Sequence, residues 1–150
     1  MFAAFDTRSG RVYGRTAERK RQVEFIAFLE QLDRQIPATI KTIHVVLDNL
    51  RMHKGKQVQA WLAKHPRFVF HHPPVHCSWM NQVEQWLSIL RRKRLRIADF
   101  ASKEDLAERL MAFIREWNEI AHPFNWTSKS VAKVMAKCRI EETEPAAKAA

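Results

Sequence analysis

The chain has 150 residues, 46% of them hydrophobic, which makes one ordinary domain with enough apolar material for a core. Its 26 lysines and arginines against 16 acidic residues leave a net charge of +10, pointing to a polyanionic partner, nucleic acid ahead of a membrane surface. Cys77 and Cys138 lie far apart with no pairing pattern, which gives no indication of a disulfide framework and fits a reducing cytosol. No apolar run reaches the roughly 18 residues that cross a bilayer, and MFAAFDTRSG does not read as a secretion signal, so a cytoplasmic protein is expected.

Residues 2–6 (FAAFD) and 11–16 (RVYGRT) favour strands and are separated by TRSG, the pattern of a hairpin. Between residues 19 and 36, Phe25, Phe28, Leu29, Leu32 and Ile36 recur at helical steps and predict an amphipathic helix ending before Pro37. TIHVVLD, residues 42–48, is a nearly continuous β-branched run, the pattern of a strand covered on both faces, with Asp48 at its C-terminal end. Residues 54–64 carry Val58, Trp61 and Leu62 on one helical face, and RFVFHH (67–72) predicts another strand before Pro73-Pro74.

From Met80 to about Leu95, Val83, Trp86, Leu87 and Leu90 form a second apolar stripe. Ser102 and Asp105 make a capping-box-like start for a helix carrying Leu106, Leu110, Phe113, Ile114 and Trp117. A last helix is expected near 128–138 with Val131, Val134, Met135 and Cys138, followed by a frayed Ala- and Glu-rich tail over 140–150. A hairpin, then strand–helix–strand, then helices, argues for an α/β domain over 1–139 with a mixed sheet.

Two carboxylates stand out. In open α/β sheets ligands gather at the carboxyl ends of strands, where Asp48 would sit. Glu84 lies in the first turns of a helix, at the edge of its apolar face and facing inward. Hard Mg²⁺ or Mn²⁺ ions need oxygen ligands, and such acids can bridge them to phosphate. Spacing alone equally allows Asp48 to cap a turn and Glu84 to add charge at a helix start.

Taken together, VVLDN (45–49), His53 four residues past Asn49, KQVQAWLAKHPRF (56–68), PPVHCSWMNQVEQW (73–86) and HPFNWT (122–127) resemble the catalytic core of bacterial insertion-sequence transposases of the mariner-like superfamily. That resemblance spans about residues 2–126. It implies an RNase H-like mixed sheet flanked by helices, and a triad of two aspartates and a glutamate holding two Mg²⁺ or Mn²⁺ ions. Asp48 would be the second acid and Glu84 the third. The first strand and its aspartate have no counterpart here, since FAAFD matches the second strand and Asp6 takes a turn role. The resemblance therefore implies a chain short of its first, central strand, with neighbouring strands lacking ladder partners, and inactive alone.

Other side chains follow from the same readings. Asn49, His53 and Asn81 would support the carboxylates from behind. Arg91, Arg92, Lys93, Arg94 and Arg96 would contact DNA phosphates, with Lys54, Lys56 and Arg67 adding to that surface, although a solvated helix end explains the basic run as well. His71, His72, His76 and Cys77 do not have zinc spacing. Trp61, Trp86 and Trp117 belong to apolar stripes, while Trp79 and Trp126 fall in loops. The expectation is a transposase domain performing metal-dependent strand cleavage and transfer on double-stranded DNA, with a homodimer compatible and no membrane. The alternative is an inactive remnant binding DNA non-specifically by charge.

Overall fold

Alternation along the first strand puts Phe2 and Ala4 on one side and Ala3 and Phe5 on the other, and the fold buries both faces. The computed structural model describes residues 1–72, 81–96 and 99–125. In it β1 (Phe2–Phe5) and β2 (Val12–Arg15) form an antiparallel hairpin, Phe2 opposite Arg15 and Phe5 opposite Val12. Asp6 has the turn role expected of it. Its carboxylate accepts from the Arg8 N–H and the Ser9 hydroxyl, and its carbonyl from Gly10 N–H, with Gly10 at φ 77°.

One face of the hairpin meets α1 (Gln22–Gln35), whose Phe25, Phe28, Leu29 and Leu32 join Phe2, Leu47, Val58, Trp61 and Phe68 in a first core. The helix stops before Pro37, and Arg67 caps its open end: the guanidinium donates to the carbonyls of Asp33 (2.8 Å) and Ile36 (3.2 Å) and to the Asp33 carboxylate (2.7 Å). Arg67 is therefore committed to closing the end of α1.

β3 (Ile43–Val46) and β4 (Phe68–His71) pair in parallel, Ile43 beside Phe68. Between them run a 3₁₀ turn (Arg51–Lys54) and α2 (Lys56–Lys64). The described strands form two pairs, antiparallel β1 with β2 and parallel β3 with β4. One expectation needs correction here: the β3 run reads as a strand covered on both faces, yet only Ile43 and Val45 turn toward the core, while His44 and Val46 are exposed. A β-branched run records strand preference, not how many layers cover the strand.

The other hairpin face meets α3 (Gln82–Leu90) and α4 (Lys103–Glu119). Val12, Trp86, Leu90, Leu110, Phe113, Ile114 and Trp117 form this second core, with Ala3 and Phe5 packed against it. All three tryptophans expected in apolar stripes are buried. The apolar stripe expected through residue 95 changes hydrogen-bonding pattern after Leu90, becoming a π-helical turn at Arg91–Leu95. Ser102 caps α4 as expected, its hydroxyl accepting from the Asp105 N–H at 3.1 Å.

Asn118 on α4 lies along the outer edge of β2, where its side chain takes both backbone groups of Val12 at 2.8 Å each, and Gln31 donates to the Gly14 carbonyl at 3.1 Å. Trp117 Nε1 donates to the Gly10 carbonyl at 2.8 Å. No helix among the described residues is long and apolar enough to cross a membrane. The Pro73-Pro74 break, the helix expected at 128–138 and the tail over 140–150 lie outside the described residues.

Candidate metal and nucleic-acid site

Asp48 sits two residues beyond β3, just after Leu47, whose N–H continues the ladder by donating to the His71 carbonyl at 2.9 Å. The chain then folds back through the 3₁₀ turn. That return brings His53 beneath Asp48, where Nδ1 lies 2.9 Å from Oδ1. His53 is nearly buried, its ring 4.5 Å from that of Phe25, while the Asp48 side chain remains 38% exposed. Leu50 N–H reaches the same Oδ1 at 3.4 Å, and Oδ2 has no partner among the described residues. Asp48 is thus gripped by one oxygen on a side chain that remains partly exposed.

The Asp48 carbonyl also faces Nδ1 of His72 at 3.3 Å. No spacing rule flags it, because the two meet only through strand pairing. Asn49 also meets a cation. Its Oδ1 accepts from the Lys54 ammonium at 2.7 Å, which holds a positive charge next to the Asp48 turn.

Asn81 ties the second carboxylate's helix to this strand. It is the N-cap of α3: its carbonyl accepts from the Glu84 N–H at 2.9 Å and its Oδ1 from the Val83 N–H at 3.4 Å. Its Nδ2 reaches the Val46 carbonyl at 3.4 Å, two residues before Asp48. The first turn of α3, which carries Glu84, therefore lies against the end of β3. Glu84 was expected to face inward; it is exposed, because Val83, Trp86 and Leu90 take the buried side of the helix. Among the described residues no three His, Cys, Asp or Glu side chains gather as a metal-binding group. Two carboxylates are hard oxygen donors of the type Mg²⁺ and Mn²⁺ take, so the donor chemistry present fits such an ion.

Arg91, Arg92, Lys93, Arg94 and Arg96 are all exposed on and after the π-helical turn. Arg94 is partly engaged, pairing with Glu116 and lying 5.4 Å over the Phe113 ring. His71 stacks its Nε2 2.9 Å from Nδ1 of His44 across the strand pair, so it belongs to a histidine pair on the sheet's bare face. His76, Cys77, Trp79 and Trp126 lie outside the described residues.

Comparison with known proteins gives the family. The chain belongs to the DDE superfamily endonucleases, whose pattern matches residues 1–107, a stretch holding Asp48, Glu84 and the whole basic run. It is also 28% identical over 134 residues to the insertion element IS630 uncharacterized 39 kDa protein of Shigella sonnei, covering 89% of this chain. That alignment covers 38% of the relative, so the chain spans well under half of the protein it matches. No solved structure matches it.

Proposed function

We propose that this chain is the catalytic portion of an insertion-sequence transposase with an RNase H-like fold, acting on double-stranded DNA at transposon ends and target. The observation that carries the reading is the Asn81 bridge, which docks the helix of Glu84 on the last residue of β3, two residues before Asp48. Asp48 and Glu84 would hold Mg²⁺ or Mn²⁺. Such an ion, when bound, supplies neutralising charge at a phosphate and activates water or a 3′-hydroxyl for in-line attack on phosphorus. His53 fixes one Asp48 oxygen and leaves the other free for a ligand. Lys54, held by Asn49, and the exposed Arg91, Arg92, Lys93 and Arg96 would bind phosphates on either side.

A second reading, an inert chain binding DNA by charge, is favoured by the exposed basic run Arg91–Arg96 beside a described region in which no three His, Cys, Asp or Glu side chains gather. Calorimetric titration with Mn²⁺ tests the first: Asp48→Ala and Glu84→Ala should each lose binding, and affinity unchanged from the parent would refute the metal assignment. Incubation of labelled insertion-sequence-end DNA with Mg²⁺ or Mn²⁺ separates the two readings. Nicked product belongs to the enzyme; a salt-sensitive mobility shift without cleavage belongs to the binder.

A further inference from the structure

Of the seven histidines all but His76 fall among the described residues, and what each ring nitrogen faces sorts them into two groups. His53 and His72 set Nδ1 3.3 Å from the Asp48 carbonyl, His65 sets it 2.8 Å from that of Trp61, and His122 sets it 3.1 Å from that of Ile120. Each of these four rings has an oxygen partner. His44 and His71 instead face each other, Nδ1 to Nε2 at 2.9 Å. Two imidazole nitrogens that close cannot aim lone pairs at one another, so they either share one proton or turn both lone pairs on a cation.

Strand pairing makes this contact between residues 27 apart in the chain. In the parallel register His44 lies beside Val69 and Val46 beside His71, so the histidines hold one diagonal of a four-residue patch and the valines the other. All four are exposed, on the face opposite the one that Ile43, Val45, Phe68 and Phe70 give to the first core. The ladder fixes both backbones, and only ring rotation is left to adjust.

The separation of the nitrogens selects the ion. Imidazole binds a borderline metal at about 2.0–2.1 Å, so two rings at a right angle place their nitrogens about 2.9 Å apart, and two at a tetrahedral angle about 3.3 Å. The pair has the right-angle value. Right-angled nitrogen sites are those of Cu²⁺ and Ni²⁺, and zinc prefers the wider one.

We propose that His44 and His71 form a two-imidazole chelate across β3 and β4 for a divalent transition-metal ion of tetragonal preference, Cu²⁺ or Ni²⁺, with water in its remaining positions. The ion takes the place of the shared proton. The ring that had donated changes tautomer, so that both rings carry their proton on the far nitrogen, Nε2 of His44 and Nδ1 of His71, and no net proton is lost. Neutral imidazoles hold the ion by coordination, which a chain of net charge +10 permits. Asp48 and Glu84 are hard oxygen donors of another class, so this inference stands apart from the transposase reading. Because its two ligands lie on different strands, the ion would staple β3 to β4 and stabilise the folded chain by mass action.

The test is calorimetric titration of the 150-residue chain with Ni²⁺, which does not oxidise Cys77 and Cys138 as Cu²⁺ can. One site should appear that a large excess of Mg²⁺ does not displace. His44→Thr and His71→Thr keep strand-favouring residues at exposed positions and should fold, as circular dichroism would show. Each should weaken Ni²⁺ by roughly 100-fold, the loss of one arm of a chelate. In NMR spectra at substoichiometric Ni²⁺ the ring signals of His44 and His71 should broaden first. Ni²⁺ should also raise the urea midpoint of the parent and leave that of either variant in place. The proposal is overturned if Ni²⁺ does not bind, if either variant binds it as the parent does, if Mg²⁺ displaces it, or if other histidines broaden first. Zn²⁺ held more tightly than Ni²⁺ would mean a tetrahedral site and equally overturn it.

Discussion

His53 has one ring packed on Phe25 and one nitrogen on Asp48, so a single residue couples the first core to the candidate metal ligand. Those two duties can be separated. His53→Phe keeps an aromatic body against Phe25 but loses the nitrogen, so folding by circular dichroism should persist while Mn²⁺ affinity falls by roughly 10-fold or more. Equal affinity would show that Asp48 needs no such support. At the start of α4, Asp105 accepts from Arg109 at 2.8 Å, and that hydrogen bond holds its carboxyl below the ordinary 3.8. A carboxylate lowered in this way contributes stability that is complete above the ordinary value and lost as pH falls through the lowered one. NMR titration of the Asp105 side-chain carbon should therefore give a midpoint under 3.8, and Arg109→Ala should return it to the ordinary range.

Among elements, β2 shows how a helix side chain stands in for a strand. Asn118 supplies one donor and one acceptor to Val12, as a neighbouring strand would, and is partly buried while doing so. Asn118→Ala leaves two edge groups without partners, and urea denaturation should report a loss of about 1–3 kcal/mol. Asn118→Asp keeps the acceptor but sets a carboxylate oxygen against the Val12 carbonyl, so it should lose at least as much as the alanine variant; a variant as stable as the parent would mean that water replaces the side chain at no cost. Nothing in the sequence marks this role, because Asn118 and Val12 are brought together by packing of α4 on the hairpin. The helices themselves were legible. Phe25, Phe28, Leu29 and Leu32 in α1, and Leu110, Phe113, Ile114 and Trp117 in α4, are buried as their spacing requires. Periodicity reports a face directly, whereas the β3 run could not reveal that His44 and Val46 would stay bare, nor the basic run that it would adopt a π-helical turn.

Across the whole molecule, charge is the property with the longest reach. Each phosphate neutralised by a lysine or arginine contributes about 0.9 to the slope of log affinity against log salt on duplex DNA. Replacing Arg91, Arg92 and Lys93 together by alanine should lower that slope by roughly 2.7 if all three touch phosphates. An unchanged slope would assign the basic run to solvent. Asp48 and Glu84 could be singled out from sequence as an acid after a strand and an acid on a helix. The contact between their elements could not, since it runs through the Asn81 side chain and the backbone of Val46.

The hairpin has a wider bearing. Phe2 and Ala4 belong to one hydrophobic cluster, and Ala3, Phe5 and Val12 to the other, so a ribbon of two short strands is the wall both compartments share. Neither compartment can melt while its neighbour stays intact, because opening either strips a face from the same two strands. Two chambers built around a common partition come apart together, as a single cooperative unit.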